Sequence, residues 1–127
     1  MNKEFVTYNQ ALTLKELGFD EPCFGRWIEP TELSISAPAD DEYCQKQHEF
    51  SWVALAPLYQ QAFRWFREKH GLNSYIYQRS NITYRGVIHK NMKIAVNYTS
   101  DSSNYEEAEQ ACLDKLIEIV KHEDTTR

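Results

Sequence analysis

The sequence predicts an α+β fold, with about three helices packed on an antiparallel sheet of four to five strands in the order αββαβββα. Three segments combine helix-start residues with apolar residues at helical spacing. Between them, apolar and polar residues alternate with the period of two that half-buried antiparallel strands show. The length of 127 residues and the hydrophobic content of 42% fit one globular domain over 1–127.

The first predicted helix spans about 8–17. Thr7 and Gln10 have the spacing of a capping box, in which each side chain satisfies a backbone N–H of the other residue. Gly18 supplies a left-handed stop. The phrase Tyr-x-(Gln/Glu)-Ala that opens this helix recurs at 59–62 and 105–108. We interpret it mainly as capping chemistry, and a true repeat of αββ units remains an open alternative.

The segment after the first helix, FDEPCFGRWIEPTELSISA, predicts a β-hairpin that turns at residues 29–32, where Pro30 restricts the backbone. Residues 36–50 are polar and without periodicity, so they form the longest predicted loop. The apolar residues that follow, up to Val53, suggest a short strand or a hydrophobic return to the core.

The second predicted helix covers about 57–70, with Pro57 at its first position and Gly71 as its stop. Its aromatic residues form two stripes, so the helix is either clamped between two elements or shows aromatic surface to a partner. The segment SYIYQRSNITYRGVIHKNMKIAVNYTS then predicts two or three strands. A third helix begins after Asn104 as cap, with Glu107 at the third position.

Formal charge is unevenly distributed along the chain. Residues 1–56 carry 10 acidic and 4 basic side chains, residues 57–93 carry 1 and 7, and residues 94–127 carry 8 and 3. The basic residues of the middle segment are the candidate partner- or RNA-binding residues: Arg64, Arg67, Lys69, Arg79, Arg85, Lys90 and Lys93.

Aromatic residues are interleaved with these basic residues: Phe63, Trp65, Phe66, Tyr75, Tyr77 and Tyr84. Cations and rings on a sheet are the combination that single-stranded nucleic-acid binders use. Core aromatics alternating with solvated charges would give the same sequence, however, and a pI of 5.3 lacks the basic excess of nucleic-acid-binding domains. The acidic ends suggest instead a partner with a basic surface.

The sequence contains no motif for catalysis. It has no G-x-S-x-G, no glycine-rich phosphate loop and no H-E-x-x-H, and its four histidines fall in different predicted elements. Its three cysteines are widely spaced and predict free thiols. We therefore expect no enzyme, no cofactor, no metal site and no small-molecule substrate. Without a long apolar segment or an apolar leader, the chain is expected to be cytoplasmic and to bind no membrane.

Three long phrases carry a resemblance to a known group: TYNQALTLKELGFDEPCFG, APLYQQAFRWFREKHGL and NYEEAEQACLDKLIEIVK. They resemble a family of small phage- and prophage-encoded proteins, mostly of unassigned function. Within that setting the chain is similar to an anti-CRISPR inhibitor of a type VI-B RNA-guided ribonuclease. The resemblance implies a host-cell location and a CRISPR effector or other host protein, with or without its guide RNA, as partner, but it carries over no functional residue.

The sequence therefore predicts a phage-derived inhibitor that acts by binding. A direct single-stranded nucleic-acid-binding protein is one alternative. A structural or accessory phage interaction protein, dimeric through the helix 57–70, is another.

Overall fold

The computed structural model describes residues 2–36, 53–90 and 96–125. The predicted loop over 36–50, from residue 37 onward, and Lys93 lie outside these ranges. In the described residues a 3-10 turn, Asn2–Glu4, is followed by α1 (Tyr8–Glu16), β1 (Gly25–Glu29), β2 (Glu32–Ile35), β3 (Ala54–Ala56), α2 (Tyr59–His70), β4 (Leu72–Ser80), β5 (Thr83–Lys90), β6 (Val96–Tyr98) and α3 (Tyr105–Thr125). The predicted α+β class is confirmed.

The chain divides into two compact units, 1–61 and 62–127, which are described in turn. The assignment of one domain to 1–127 stays a prediction. Within the residues that the structure describes, each unit contains one antiparallel sheet of three strands, in the orders β2-β1-β3 and β4-β5-β6. The prediction of one sheet of four to five strands is therefore corrected. β3 pairs with β1, so β1, β2 and β3 form a sheet that is separate from β4, β5 and β6.

The close approach of β1 and β3 depends on a glycine. A Cβ at Gly25 would lie 2.6 Å from the carbonyl oxygen of Ala56 and 2.8 Å from the ring of Phe5. The predicted hairpin of β1 and β2 is confirmed, with its turn between Glu29 and Glu32.

The capping box of α1 is confirmed. The Gln10 N–H donates to Thr7 Oγ1 at 3.2 Å, and the Thr7 N–H donates to Gln10 Oε1 at 3.0 Å. Gly18 has the left-handed φ of 98° that a stop after the helix requires. The hydroxyl of Tyr59 donates to the same Gln10 oxygen at 2.9 Å, so this buried amide joins α1 to the beginning of α2.

The start of α2 differs from the prediction. Pro57 does not take the first helical position, because its carbonyl oxygen accepts a hydrogen bond from the Val6 N–H at 3.1 Å and Leu58 pairs with Phe5. The chain is therefore still extended at Pro57, and the helix begins at Tyr59. The predicted stop at Gly71 is confirmed by its φ of 68°.

The aromatic residues of α2 are buried. Tyr59, Phe63, Trp65 and Phe66 have at most 8% of their surface exposed. Of the two alternatives for this helix, an aromatic surface shown to a partner is therefore wrong. A dimer through the helix 57–70 stays a prediction.

In the second unit, α3 covers one face of the β4-β5-β6 sheet. Gly86 of β5 lies so close to α3 that an added Cβ would be 2.9 Å from the Cβ of Cys112. The Lys90 ammonium pairs with Glu123 at 2.9 Å on the same side. The buried stripe of α3 consists of Ala108, Glu109, Cys112, Leu113, Leu116, Ile117 and Val120.

The predicted start of α3 is confirmed, since the Glu107 N–H donates to Asn104 Oδ1 at 2.8 Å. The Glu107 carboxylate accepts from the Ser103 hydroxyl at 2.9 Å. Among the described residues, none of the helices combines the length and the apolarity that crossing a bilayer demands.

Candidate functional site

The face of the β4-β5-β6 sheet opposite α3 carries tyrosines and arginines. The strand register places Tyr75, Val87 and Tyr98 in one row across the three strands, and Tyr77 beside Arg85 in the next row. Because side chains alternate along a strand, these residues point away from Gly86 and α3. Tyr75 and Tyr98 are each 56% exposed, whereas Val87 between them is buried.

Two arginines on this face share one carboxylate. Arg79 Nη1 lies 2.6 Å from Asp101 Oδ2, and Arg85 donates through Nε to Asp101 Oδ1 at 3.0 Å. The Arg85 guanidinium also lies over the Tyr98 ring, 5.8 Å from its centroid. Exposed pairs of this kind contribute at most about 1 kcal/mol each, so their main effect is to orient the side chains. We call Tyr75, Tyr77, Arg79, Arg85, Tyr98 and Asp101 the tyrosine–arginine face.

The segment between β6 and α3 is what brings Asp101 to the arginines. The Thr99 N–H donates to the Gly86 carbonyl at 3.0 Å, and the Gly86 N–H donates to Thr99 Oγ1 at 2.8 Å. Tyr84 and Ser102 then exchange two backbone hydrogen bonds of 2.9 Å. The chain thus stays beside β5 after β6 ends, and Asp101 is held next to Arg85.

The seven basic residues predicted as candidates do not share one environment. Arg64, Arg67 and Lys69 lie exposed on α2, and Lys90 is paired with Glu123. Arg79 and Arg85 are the two that the structure brings together, through Asp101. Lys93 lies outside the described residues. The role of these residues in partner or RNA binding stays a prediction.

The aromatic residues of the middle segment separate by burial. Phe63, Trp65 and Phe66 are buried and cannot stack on a base or a partner. Tyr84 is half-buried and contacts the Tyr105 ring edge-on, with the centroids 6.0 Å apart. Sequence reasoning found Tyr75 and Tyr77 by their alternation, but it missed Asp101 and Tyr98, because their place on this face depends on how the segment after β6 returns to β5.

The buried thiol of Cys112 lies on the α3 side of the sheet. Burial raises the pKa of the Cys112 thiol to about 11, although a hydrogen bond with Ser74 acts in the opposite direction. Burial, and then the nearby Glu109 carboxylate, raise the pKa of Tyr105. Cys112 is therefore protonated at neutral pH and serves packing.

Two features of the described residues bear on metal and small-molecule binding. Residues 2–36, 53–90 and 96–125 contain no group of three or more His, Cys, Asp or Glu side chains placed to hold a metal ion. A groove of about 320 Å³ between β6 and α3 is lined largely by polar side chains, including Asp114, Lys115 and Glu118. Small-molecule pockets are instead mostly apolar.

Comparisons with known proteins assign no relative to the chain. No protein-family model, no curated protein and no solved structure matches it. The candidate site therefore depends on its own geometry, which presents exposed tyrosines and oriented arginines on the sheet face opposite α3.

Proposed function

We propose that the chain is a non-enzymatic binding protein whose tyrosine–arginine face contacts a partner protein. The observation that carries the proposal is the exposure of Tyr75 and Tyr98 on a sheet whose opposite face is fixed by α3. Tyrosine and arginine are enriched at the residues that dominate binding energy in protein interfaces. A face held by backbone pairing also loses little conformational entropy when it binds.

A protein partner is favoured over a nucleic acid by the position of Asp101. Its carboxylate lies between Arg79 and Arg85, so a phosphate approaching these guanidinium groups would meet a negative charge. Lys90, a third candidate for a phosphate contact, is already paired with Glu123. A protein surface that presents both a carboxylate and donors can complement this arrangement without displacing Asp101.

The resemblance of the chain to phage- and prophage-encoded proteins makes a type VI-B RNA-guided ribonuclease, bound to its guide RNA, the partner to test first. In that case the protein is an inhibitor that acts in the cytoplasm of the host bacterium. It would occlude a surface of the ribonuclease and perform no chemistry of its own.

A direct single-stranded nucleic-acid-binding protein is the second candidate. It is favoured by the same tyrosines, because rings exposed on a sheet can stack with bases at about 1–3 kcal/mol per base. Such binding would weaken steeply as salt concentration rises.

Binding of the purified chain to the purified ribonuclease–guide complex, measured by biolayer interferometry, tests the proposal. Tyr98→Ala should weaken binding by about tenfold or more, the loss expected at a hot-spot side chain. A double variant of α2, Arg64→Ala with Arg67→Ala, is the control and should bind within about threefold of the wild type. Undiminished binding of Tyr98→Ala, or no binding by the wild type, would contradict the proposal.

Asp101→Asn separates the two candidates, because removal of the carboxylate frees two guanidinium groups. Affinity for bare single-stranded RNA should then rise if the chain binds nucleic acid directly. Affinity for a protein partner should fall, since Arg79 and Arg85 lose the group that orients them.

A further inference from the structure

Among the described residues, β4 is an edge strand of the second sheet. It spans nine residues, and within the described ranges no strand pairs with it on the side away from β5. Natural proteins protect long edges with proline, lysine, bulges or short strands. β4 contains no proline or lysine, its one irregularity falls between Gln78 and Ser80, and its only charged residue is Arg79 near the end. The edge from Leu72 to Gln78 therefore has none of these protections.

The hydrogen bonds of β5 show which backbone groups of β4 point outward. Tyr84 and Gly86 direct their backbone groups toward the β6 side. In an antiparallel ladder the direction alternates, so Arg85, Val87 and His89 bond to their β4 partners Tyr77, Tyr75 and Asn73. The N–H and C=O groups of Ser74, Ile76 and Gln78 are consequently directed at the open edge.

The sequence of this edge is nearly symmetric about its centre. In the stretch NSYIYQR, Tyr75 and Tyr77 flank Ile76, and the polar residues Ser74 and Gln78 flank the tyrosines. Two copies can be aligned antiparallel about Ile76. The outward backbone groups of Ser74 in one copy then pair with those of Gln78 in the other, and the two Ile76 residues pair with each other. This register uses the whole of β4.

The same register also matches the side chains. Tyr75 of one copy lies opposite Tyr77 of the other at a non-hydrogen-bonded position, where side chains approach most closely. Ile76 meets Ile76, and Arg79 lies opposite Asn73, so no like charges are opposed. Symmetric homodimers require a surface that complements itself, and this strand meets that requirement.

We propose that two copies of this chain pair through β4, antiparallel about Ile76, to form one continuous six-stranded sheet. The two-fold axis of such a pairing is perpendicular to the sheet. Both tyrosine–arginine faces therefore lie on the same side, and the dimer presents two equal binding surfaces. This inference goes beyond the proposed function and does not depend on the identity of the partner.

Light scattering of the full chain over a range of concentrations tests the pairing. The wild type should show twice the chain mass of 15.0 kDa. The double variant Tyr75→Lys with Tyr77→Lys sets lysine opposite lysine and should raise the dimer dissociation constant at least about tenfold. Tyr98→Lys is the matched control, since Tyr98 lies on the same face with the same 56% exposure but on the far strand. This control should remain dimeric.

A second test asks whether opposite charges restore the pairing. Mixing the double lysine variant with Tyr75→Glu plus Tyr77→Glu sets opposite charges across the edge and should recover a heterodimer. Amide hydrogen exchange of the wild type should also show that Ser74, Ile76 and Gln78 exchange faster on dilution, a result that needs no variant.

Three results would overturn the pairing. The wild type could be monomeric at every concentration, or the double lysine variant could dimerise as tightly as the wild type. The exchange rates of the Ser74, Ile76 and Gln78 amides could also be independent of protein concentration. A dimer that does not bind the ribonuclease would leave the pairing intact and count only against the proposed function.

Discussion

Thr99→Val should destabilise the protein by removing both hydrogen bonds of the Thr99 hydroxyl, which also donates to the Ser100 carbonyl at 3.3 Å. Thr99 has 8% of its surface exposed, and its hydroxyl accepts from the buried Gly86 N–H at 2.8 Å. Valine has nearly the same shape, so the change leaves no cavity but deprives that N–H of its acceptor. An unsatisfied buried donor costs about 1–3 kcal/mol. The free energy of unfolding should fall by that amount.

Urea denaturation followed by circular dichroism measures this loss, which should appear as a lower midpoint with an unchanged slope. Thr99→Ser is the control, because it keeps the hydroxyl and removes only a methyl group, worth about 0.8 kcal/mol. Two outcomes would contradict this reasoning: a valine variant as stable as the wild type, or a serine variant less stable than the valine variant. Either would mean that the Thr99 hydroxyl does not hold the segment that follows β6 against β5.

Three other changes follow from the described contacts. Gly86→Ala should cost about 1–3 kcal/mol in urea denaturation through overpacking against Cys112, and an unaffected midpoint would mean that α3 can shift freely. Between pH 9 and 11 the free energy of unfolding should fall by up to about 1.4 kcal/mol per pH unit, because the unfolded chain releases the Cys112 proton near pH 9 while the folded chain holds it until about pH 11. Below pH 9 both states keep this proton, and Cys112→Ala should lack this contribution to the slope. Thr7→Val should cost about 1 kcal/mol and speed amide exchange in the first turn of α1, whereas Thr7→Ser should restore the cap.

The ends of the helices could be predicted from sequence because caps are local. Thr7 with Gln10, and Asn104 with Glu107, act within one turn, and glycine is the residue that tolerates the positive φ found at Gly18. No distant contact has to be known for these predictions.

Strand partners could not be predicted in the same way. Alternation shows which side chains share a face, but it does not show which strand lies alongside, so β3 could not be assigned to β1. The predicted start of α2 was wrong for a related reason. The hydrogen bond from the Val6 N–H to the Pro57 carbonyl keeps Pro57 extended, although proline favours the first position of a helix. Both errors come from contacts between residues far apart in the chain.

The candidate site was predictable in part. Alternation along the predicted strand identified Tyr75 and Tyr77 as neighbours on one side, and the charge distribution identified Arg79 and Arg85 as candidates. The role of Asp101 depends on the hydrogen bonds of Thr99 and Ser102 with β5, which have no sequence signature of their own.

The contact between Gly86 and Cys112 also has an evolutionary consequence. Since a Cβ at position 86 would be 2.9 Å from the Cβ of Cys112, a larger residue at 86 requires the helix to move away or the residue at 112 to become glycine. In chains that share this unit, the two positions should therefore change together. A glycine in the middle strand of this sheet, matched with a small residue two turns into the following helix, would be a signature by which distant homologues could be recognised when the rest of the sequence has diverged.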